Sequence, residues 1–405
     1  MLSSSDHVVV VGAGLAGWRF CEALRREGFS GEVTLIGDEP YAPYDRPPLS
    51  KHVLNGKWEV EKTILATPEL VNENKVSLIL GDAAKSLDVA SKTVTFASGQ
   101  TVTGSHVVIA TGVRARLIPF SADEDIYALR SYGDIQRLLA RVHELADGAR
   151  VAVVGGGFIG AEAATALKAR GFELVVLEAA PRPLQGVLGE QVATWLEGLA
   201  KEHDIELRNN QKITDITYNG DGFSILFADA GDLDVDAVVL GVGSVANTEW
   251  LASSGLKIDN GVVVDQNLEA APGVSAIGDV ARFTWRGPAG EEMVRIEHWQ
   301  VANDHASQLA KYLATGSLPS EPMVPYFWSD QYAKKIQMLG HPSANDDVEI
   351  VAGSLEESKW LALYSRAGTV TGVLALSQPR ALMLAKPLLE KPTSLSDARA
   401  AQPWV

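Results

Sequence analysis

The sequence predicts an α/β protein in which one doubly wound, Rossmann-like unit occurs twice and a smaller α+β domain follows at the C-terminus. Three observations carry that prediction. A strand–glycine turn–helix–strand unit stands at the start of the chain, and a second copy begins 143 residues later. From about residue 321 onward, alternating apolar runs take over. At 405 residues, the chain is long enough for two or three domains. Its 46% hydrophobic and 21% charged residues are those of a globular protein with ample core.

The first unit opens with His7–Val11, a short apolar run that reads as a buried parallel strand. Gly12, Gly14 and Gly17 follow as GxGxxG, and WRFCEALRREG continues with helical periodicity to a stop at Gly28. A second strand, EVTLIG, ends beside Asp38, 21 residues after the last glycine. Each part has a mechanical reason. The first glycine makes the tight turn and the second lets backbone approach a pyrophosphate. The third packs helix on strand, and the acid accepts from a ribose diol.

The second unit repeats every part. ARVAVVG leads into Gly155, Gly157 and Gly160, then a helix AEAATALKARG, then the strand FELVVL ending at Glu178. Two complete fingerprints imply two separate dinucleotides. A carboxylate at Glu178 accepts from a free 2′-OH and repels a 2′-phosphate, which favours NADH over NADPH. Arg182, four residues on, is either a cation that weakens this preference or a surface arginine in the proline-rich APRPL turn.

Further strands run into glycine turns at Ala110-Thr111-Gly112, across Asp236–Asn247, and at Gly278-Asp279 within Pro272–Ala281. After about residue 321, KKIQMLG, VEIVAG, WLALYS and TVTGVLAL suggest a small antiparallel sheet. An apolar helix RALMLAKPLLEK is predicted behind it.

Composition narrows the function. With 35 Lys and Arg against 51 Asp and Glu, the formal net charge is −16, which argues against nucleic-acid binding. No apolar run reaches the ~18 residues that span a bilayer, and the N-terminus lacks a basic signal-peptide region. A cytoplasmic protein with no membrane partner is expected. The single cysteine, Cys21, cannot form a CxxC redox pair, a zinc site or a Cys-ligated cluster. Redox chemistry must then run on a bound cofactor, with no internal dithiol relay. No metal site is expected: His298, Asp304 and His305 match no ligand spacing. No GxSxG nucleophile motif appears either.

The N-terminal GxGxxG, the ATG turn, GGGFIGAE and the late AIGD together resemble the two-dinucleotide flavoproteins of glutathione-reductase-like fold. Four more stretches, PYDRPPLSK, YALR, VRIEHWQVANDHA and YFWSDQY, resemble the NADH-dependent ferredoxin reductases of bacterial oxygenase systems. The resemblance implies FAD at the first fingerprint and NADH at the second. It parses the chain as 1–114 (FAD-binding, first part), 115–240 (NADH-binding), 241–320 (FAD-binding, second part) and 321–405 (C-terminal domain). Dithiol relatives carry a redox cysteine pair near the RPPLSK segment, and this chain has none there.

Site residues follow from the same resemblance. Lys51 is implied beside the flavin N5/O4 edge, with Glu162 meeting the lysine and the nicotinamide. Arg46 and Arg130 suit the FAD phosphates or adenosine, and Asp279 the ribityl or phosphate region. Trp299 heads a helix whose N-terminal partial charge favours an anionic reduced flavin. Ala16, Ala84, Ala110, Thr111 and Gly112 join the cofactor-binding positions, as do Phe158, Ile159 and Gly243. Trp328 is either a flavin-edge shield or a core residue. Ala246 and Ser377-Gln378-Pro379-Arg380 depart from the pattern of the resembled enzymes.

The implied activity is transfer of reducing equivalents from NADH to FAD, then of single electrons to a [2Fe–2S] ferredoxin. Because such ferredoxins are acidic and this chain is also acidic, docking requires a local basic patch. Arg295, Lys334, Lys335, Arg380 and Lys386 are the candidates, and a monomer or weak homodimer is expected. Two alternatives stand beside this one. One is an NADH-dependent reductase of a quinone or other small acceptor. The other is a redox-sensing interaction protein resembling apoptosis-inducing factor.

Overall fold

The computed structural model describes residues 1–120, 125–318 and 322–405. The chain divides into two compact units. One comprises Met1–Asp45, Thr63–Arg114 and Val245–Phe327; the other comprises Arg46–Lys62, Ala115–Ser244 and Trp328–Val405. The C-terminal segment thus belongs to the second unit.

The first unit is built on a six-stranded sheet. Its order is Glu269–Ala271, Val274–Ala276, His106–Ile109, His7–Val11, Glu32–Gly37, Ser77–Leu80. All neighbours are parallel except the outer hairpin formed by the first two. Val9 at its centre faces Thr34 on one side and Val107 on the other. A strand buried on both faces can afford no alternation, which is why HVVVV and HVVI are nearly all β-branched. Helix Leu15–Arg26 covers the sheet with Trp18, Phe20, Cys21 and Leu24 fully buried, and helix Trp299–Thr315 packs against it.

The second unit repeats the plan with five parallel strands. Their order is Glu206–Arg208, Glu173–Leu177, Arg150–Val154, Ala237–Leu240, Ile126–Ala128. Helix Phe158–Lys168 follows the central strand. A three-stranded antiparallel sheet, Ile213–Tyr218, Phe223–Phe227 and Leu233–Val235, is built into the same unit.

The C-terminal segment is a five-stranded sheet of order Tyr326–Gln331, Lys334–Gly340, Thr369–Leu376, Lys359–Arg366, Asp347–Ser354. Its first two strands join through Tyr332 and Ala333, both at positive φ (51° and 55°), the geometry of a tight hairpin turn. Neither residue type announces such a turn, so the sequence pattern alone understates it. The helix predicted over RALMLAKPLLEK stops early. Its α-helical part is Pro379–Ala385, and Lys386–Leu389 tightens to a 3-10 turn. Pro387 has no backbone N–H to continue the ladder and its ring crowds the preceding turn. The tail forms a short helix, Leu395–Ala401, capped by Ser394, with Ala398 and Trp404 buried. Among the described residues, no helix is long and apolar enough to cross a membrane.

Candidate functional site

In the first unit the glycine turn is built by close packing. Gly12 sits at φ 117°, and a Cβ there would lie 2.2 Å from the Ala110 carbonyl oxygen. At Gly17 a Cβ would lie 2.1 Å from the Gly12 carbonyl oxygen. Gly14 is different, since a Cβ there would meet nothing within 4 Å. Packing therefore demands glycine at the first and third positions, and the open space at the second admits a ligand. Gly14 caps helix Leu15–Arg26 without a side chain, leaving the cap free of a competing acceptor.

Around that turn the unit gathers several sequence-predicted residues. Ala110 is buried, Thr111 Oγ1 donates to the Asn247 carbonyl (2.8 Å), and Gly112 takes a positive φ. Gly278, next to Asp279, sits at φ 69° with its Cβ direction 2.8 Å from the Ala16 methyl. The AIGD turn therefore lies against the start of the first helix. His305, fully buried, accepts the Gly278 N–H on Nδ1 (3.3 Å), and burial pushes its pKa down to about 4. Its Nε2 has no hydrogen-bond partner among the described residues. Trp299 Nε1 donates to Asp45 (2.8 Å). Asp38 is exposed, while its neighbour Glu39 accepts from the Tyr44 hydroxyl (2.8 Å). Ala84 begins a separate three-stranded antiparallel sheet and packs against the main core.

Arg295 needs correction as a docking cation. Its side chain is only 10% exposed, pairs with Glu297 at 2.7 Å, and donates to the Asp279 carbonyl (3.2 Å). It buttresses the AIGD turn rather than offering charge to a partner. Cys21 is fully buried and desolvation pushes its thiol up to about 12, so it is an inert packing residue.

The second unit contains a buried polar cluster around Glu162. Glu162, 3% exposed on helix Phe158–Lys168, pairs with Lys51 Nζ at 2.8 Å. Its Oε1 also accepts from Ser329 Oγ (2.6 Å) and the Asp330 N–H (3.3 Å), and its Oε2 accepts from Ser50 Oγ (2.6 Å). Three chain segments thus converge on one carboxylate: the 46–62 insert, the fingerprint helix and the C-terminal sheet. Burying a charge without such partners would be prohibitive. Lys51 lies on a π-helical turn, Leu49–Val53, with its ammonium 6.0 Å from the Trp328 ring centroid, at the outer limit of a cation–π contact. Arg46 donates to the Arg130 carbonyl (2.9 Å), which brings those two together.

The second glycine turn follows the first in its packing. Gly155 is at φ 100°, and a Cβ at Gly160 would sit 1.9 Å from the Gly155 carbonyl oxygen. Gly157 caps the helix without a side chain, and Ile159 is exposed on its first turn beside half-buried Phe158. Glu178 accepts from the Gly156 N–H through Oε2 and the Ala180 N–H through Oε1, both at 2.8 Å. Gly243, at φ 93°, is exposed in the turn after strand Ala237–Leu240. On the C-terminal segment, Lys335 and Arg380 are exposed and Lys334 and Lys386 half-buried. Sequence reading passed over Ser50, Ser329 and Asp45. Ser50 and Asp45 stand within the quoted PYDRPPLSK stretch and Ser329 within YFWSDQY, but only tertiary folding discloses their partners.

Two dinucleotide turns, each on its own parallel sheet, with a buried lysine–carboxylate pair in the second unit, are the equipment of an α/β oxidoreductase. Comparison with known proteins makes this specific. Residues 6–306 match the family described as pyridine nucleotide-disulphide oxidoreductase, and residues 326–405 match the reductase C-terminal family. The chain belongs to the pyridine nucleotide-disulphide oxidoreductase family. It is 34% identical to rhodocoxin reductase of Rhodococcus erythropolis over 399 residues, covering 97% of this chain and 92% of that one. To the ferredoxin–NAD(+) reductase subunit of the benzene 1,2-dioxygenase system of Pseudomonas putida it is 32% identical, covering 97% and 96%. Among solved structures it resembles putidaredoxin reductase in its covalent complex with putidaredoxin. That match has a TM-score of 0.90 at 29% identity and covers 95% of this chain and 93% of that one.

Proposed function

We propose that this chain is an FAD-dependent NADH:ferredoxin reductase that supplies single electrons to a [2Fe–2S] protein serving an oxygenase. The observation that carries this reading is the pairing of two complete dinucleotide turns with a lone cysteine that is fully buried and held well above its usual pKa. Electrons entering from a nicotinamide have no dithiol to cross, so the bound flavin must hand them on. FAD, when bound, accepts a pair of electrons and releases them one at a time. The named function of the relatives, ferredoxin–NAD(+) reduction, agrees with that route.

The first unit's residues suit FAD. The open space at Gly14 and the uncapped helix end suit its pyrophosphate, Asp38 its ribose, and Asp279 its ribityl or phosphate region. Ala16, Ala84, Ala110, Thr111 and Gly112 make up the remainder of that surface, with Trp299 at the ring. The second unit's turn, through Gly155, Gly157 and Gly160 with Phe158, Ile159 and Gly243, suits NADH. Its acid, Glu178, takes the ribose. We assign Lys51 and Glu162 to the redox-active rings. What supports them is an ion pair buried among hydroxyl donors, where a cation keeps a fixed position and excludes water. Arg46 and Arg130 are assigned to FAD. Lys334, Lys335, Arg380 and Lys386 are the cations proposed to meet an acidic ferredoxin, and the cytoplasm is the compartment that suits a lone reduced thiol.

Anaerobic stopped-flow mixing tests the reading. NADH should bleach the flavin rapidly, and added [2Fe–2S] ferredoxin should then be reduced at a rate that falls as salt is raised. Bleaching without transfer to any ferredoxin would overturn the acceptor half and leave the nicotinamide half standing.

A further inference from the structure

The second fingerprint contains an apparent contradiction. Glu178 disfavours a 2′-phosphate, yet Arg182 stands four residues away, and Pro183, the next residue, lies against the glycine turn. Pro183 Cβ and Glu178 Oε2 each lie 3.0 Å from where a Gly156 Cβ would be. A guanidinium at that place is what a 2′-phosphate seeks. It is already engaged. Arg182 Nη1 pairs with Glu190 (3.2 Å), and its Nε lies 3.5 Å from Glu197. Helix Gln185–Glu202 is kinked at Gly189, and both acids lie on the helical part after the kink, seven residues and hence two turns apart, on one face. Glu197 is fixed in turn by Asn209 Nδ2, which donates to its other oxygen (3.0 Å).

We propose that Glu190 and Glu197 are specificity-determining residues that withhold Arg182 from a 2′-phosphate and so enforce NADH over NADPH. The proposal rests on the reading that this turn takes a nicotinamide dinucleotide. Two features give the pair its effect. The first is occupancy, because Nη1 of the guanidinium donates to Glu190 and its Nε lies toward Glu197. The second is charge: two carboxylates, Glu190 and Glu197, face one guanidinium, leaving that cluster at −1, and Glu178 adds a further carboxylate at the glycine turn. A 2′-phosphate carries about −1.5 to −2 near neutral pH, so it meets net repulsion within a Debye length of ~8 Å. Each ion pair is partly exposed and worth little to stability, so the acids can be neutralised without unfolding the helix.

The test is calorimetric titration of NAD+ and NADP+ into the FAD-loaded protein. The variants are wild type, Glu190→Gln/Glu197→Gln, and that double variant with Arg182→Met added. The double variant should bind NADP+ at least ~10-fold tighter than wild type while its NAD+ affinity stays within about twofold. Adding Arg182→Met should abolish the gain. An unchanged NADP+ affinity in the double variant overturns the proposal, as does a gain that survives loss of Arg182. If wild type binds neither nucleotide, the reading of the turn fails and the proposal falls with it.

Discussion

The turns at Gly12–Gly17 and Gly155–Gly160 solve one packing problem in the same way, with a carbonyl oxygen filling the space of the missing Cβ at 2.1 Å and 1.9 Å. They part company at the acid that follows. Asp38 is exposed, whereas Glu178 is half-buried with each oxygen fixed by a backbone N–H. The glycines are thus a condition of the fold. The acids are the ribose contacts proposed above, and Glu178 is the more rigidly held of the two. A cofactor that stays bound can tolerate a loose ribose contact. A nucleotide that exchanges at every turnover must be told from its 2′-phosphorylated twin each time.

The strongest way to break this comparison is to fill the shared packing space. Overpacking against backbone costs ~1–3 kcal/mol or more. Gly17→Ala should yield protein lacking FAD, seen as loss of flavin absorbance per chain. Gly160→Ala should keep FAD and lose reduction by NADH. If Gly160→Ala lost FAD as well, the two sites would not be separable.

Next in size is the buried pair of the second unit. Lys51→Met or Glu162→Gln should slow flavin reduction by NADH ~10²-fold or more in stopped flow with FAD content unchanged. Normal rates would make the pair structural. Reversing the acid comes third. Glu178→Arg should move the NADH-to-NADPH preference in kcat/KM by roughly tenfold or more, because it swaps repulsion of the 2′-phosphate for attraction. The corresponding Asp38→Arg should leave that ratio alone.

The smallest effect sharpens the contrast between units. Burial lowers the pKa values of His106 and His305, both in the first unit, to about 4 from 6.5. Between those values the unfolded chain binds protons that the folded unit refuses. Stability is therefore full above pH 6.5 and declines as pH falls toward 4, by about 1.4 kcal/mol per pH unit per group. The midpoint of thermal flavin release should drop over that window, and His305→Gln should flatten the drop. An unchanged slope would remove His305 from the acid response.

Short-range regularities were readable from the sequence. Both fingerprints, their acids, the parallel strands and the antiparallel C-terminal sheet all follow from local spacing and period. What escaped depends on side chains that meet only after folding. Ser329 lies 167 residues from Glu162, and nothing in YFWSDQY marks its hydroxyl as a donor to that carboxylate. Arg295 looks like any surface arginine until its guanidinium is found against Glu297 and the Asp279 carbonyl. Arg182 stayed open between a counterweight to Glu178 and a surface arginine because the two glutamates that face it lie further along the chain.

Strand His106–Ile109 pairs on one side with His7–Val11 and on the other with Val274–Ala276. The second partner is encoded some 165 residues later, beyond the whole second dinucleotide turn. During synthesis at ~5–20 residues per second, that interval lasts from about 8 to 33 seconds. Throughout it, the run HVVI presents an unpaired apolar edge, the kind of edge that recruits other strands. Closure of this sheet late in translation makes the nascent chain's first half its most aggregation-prone stage, and a natural client for a chaperone.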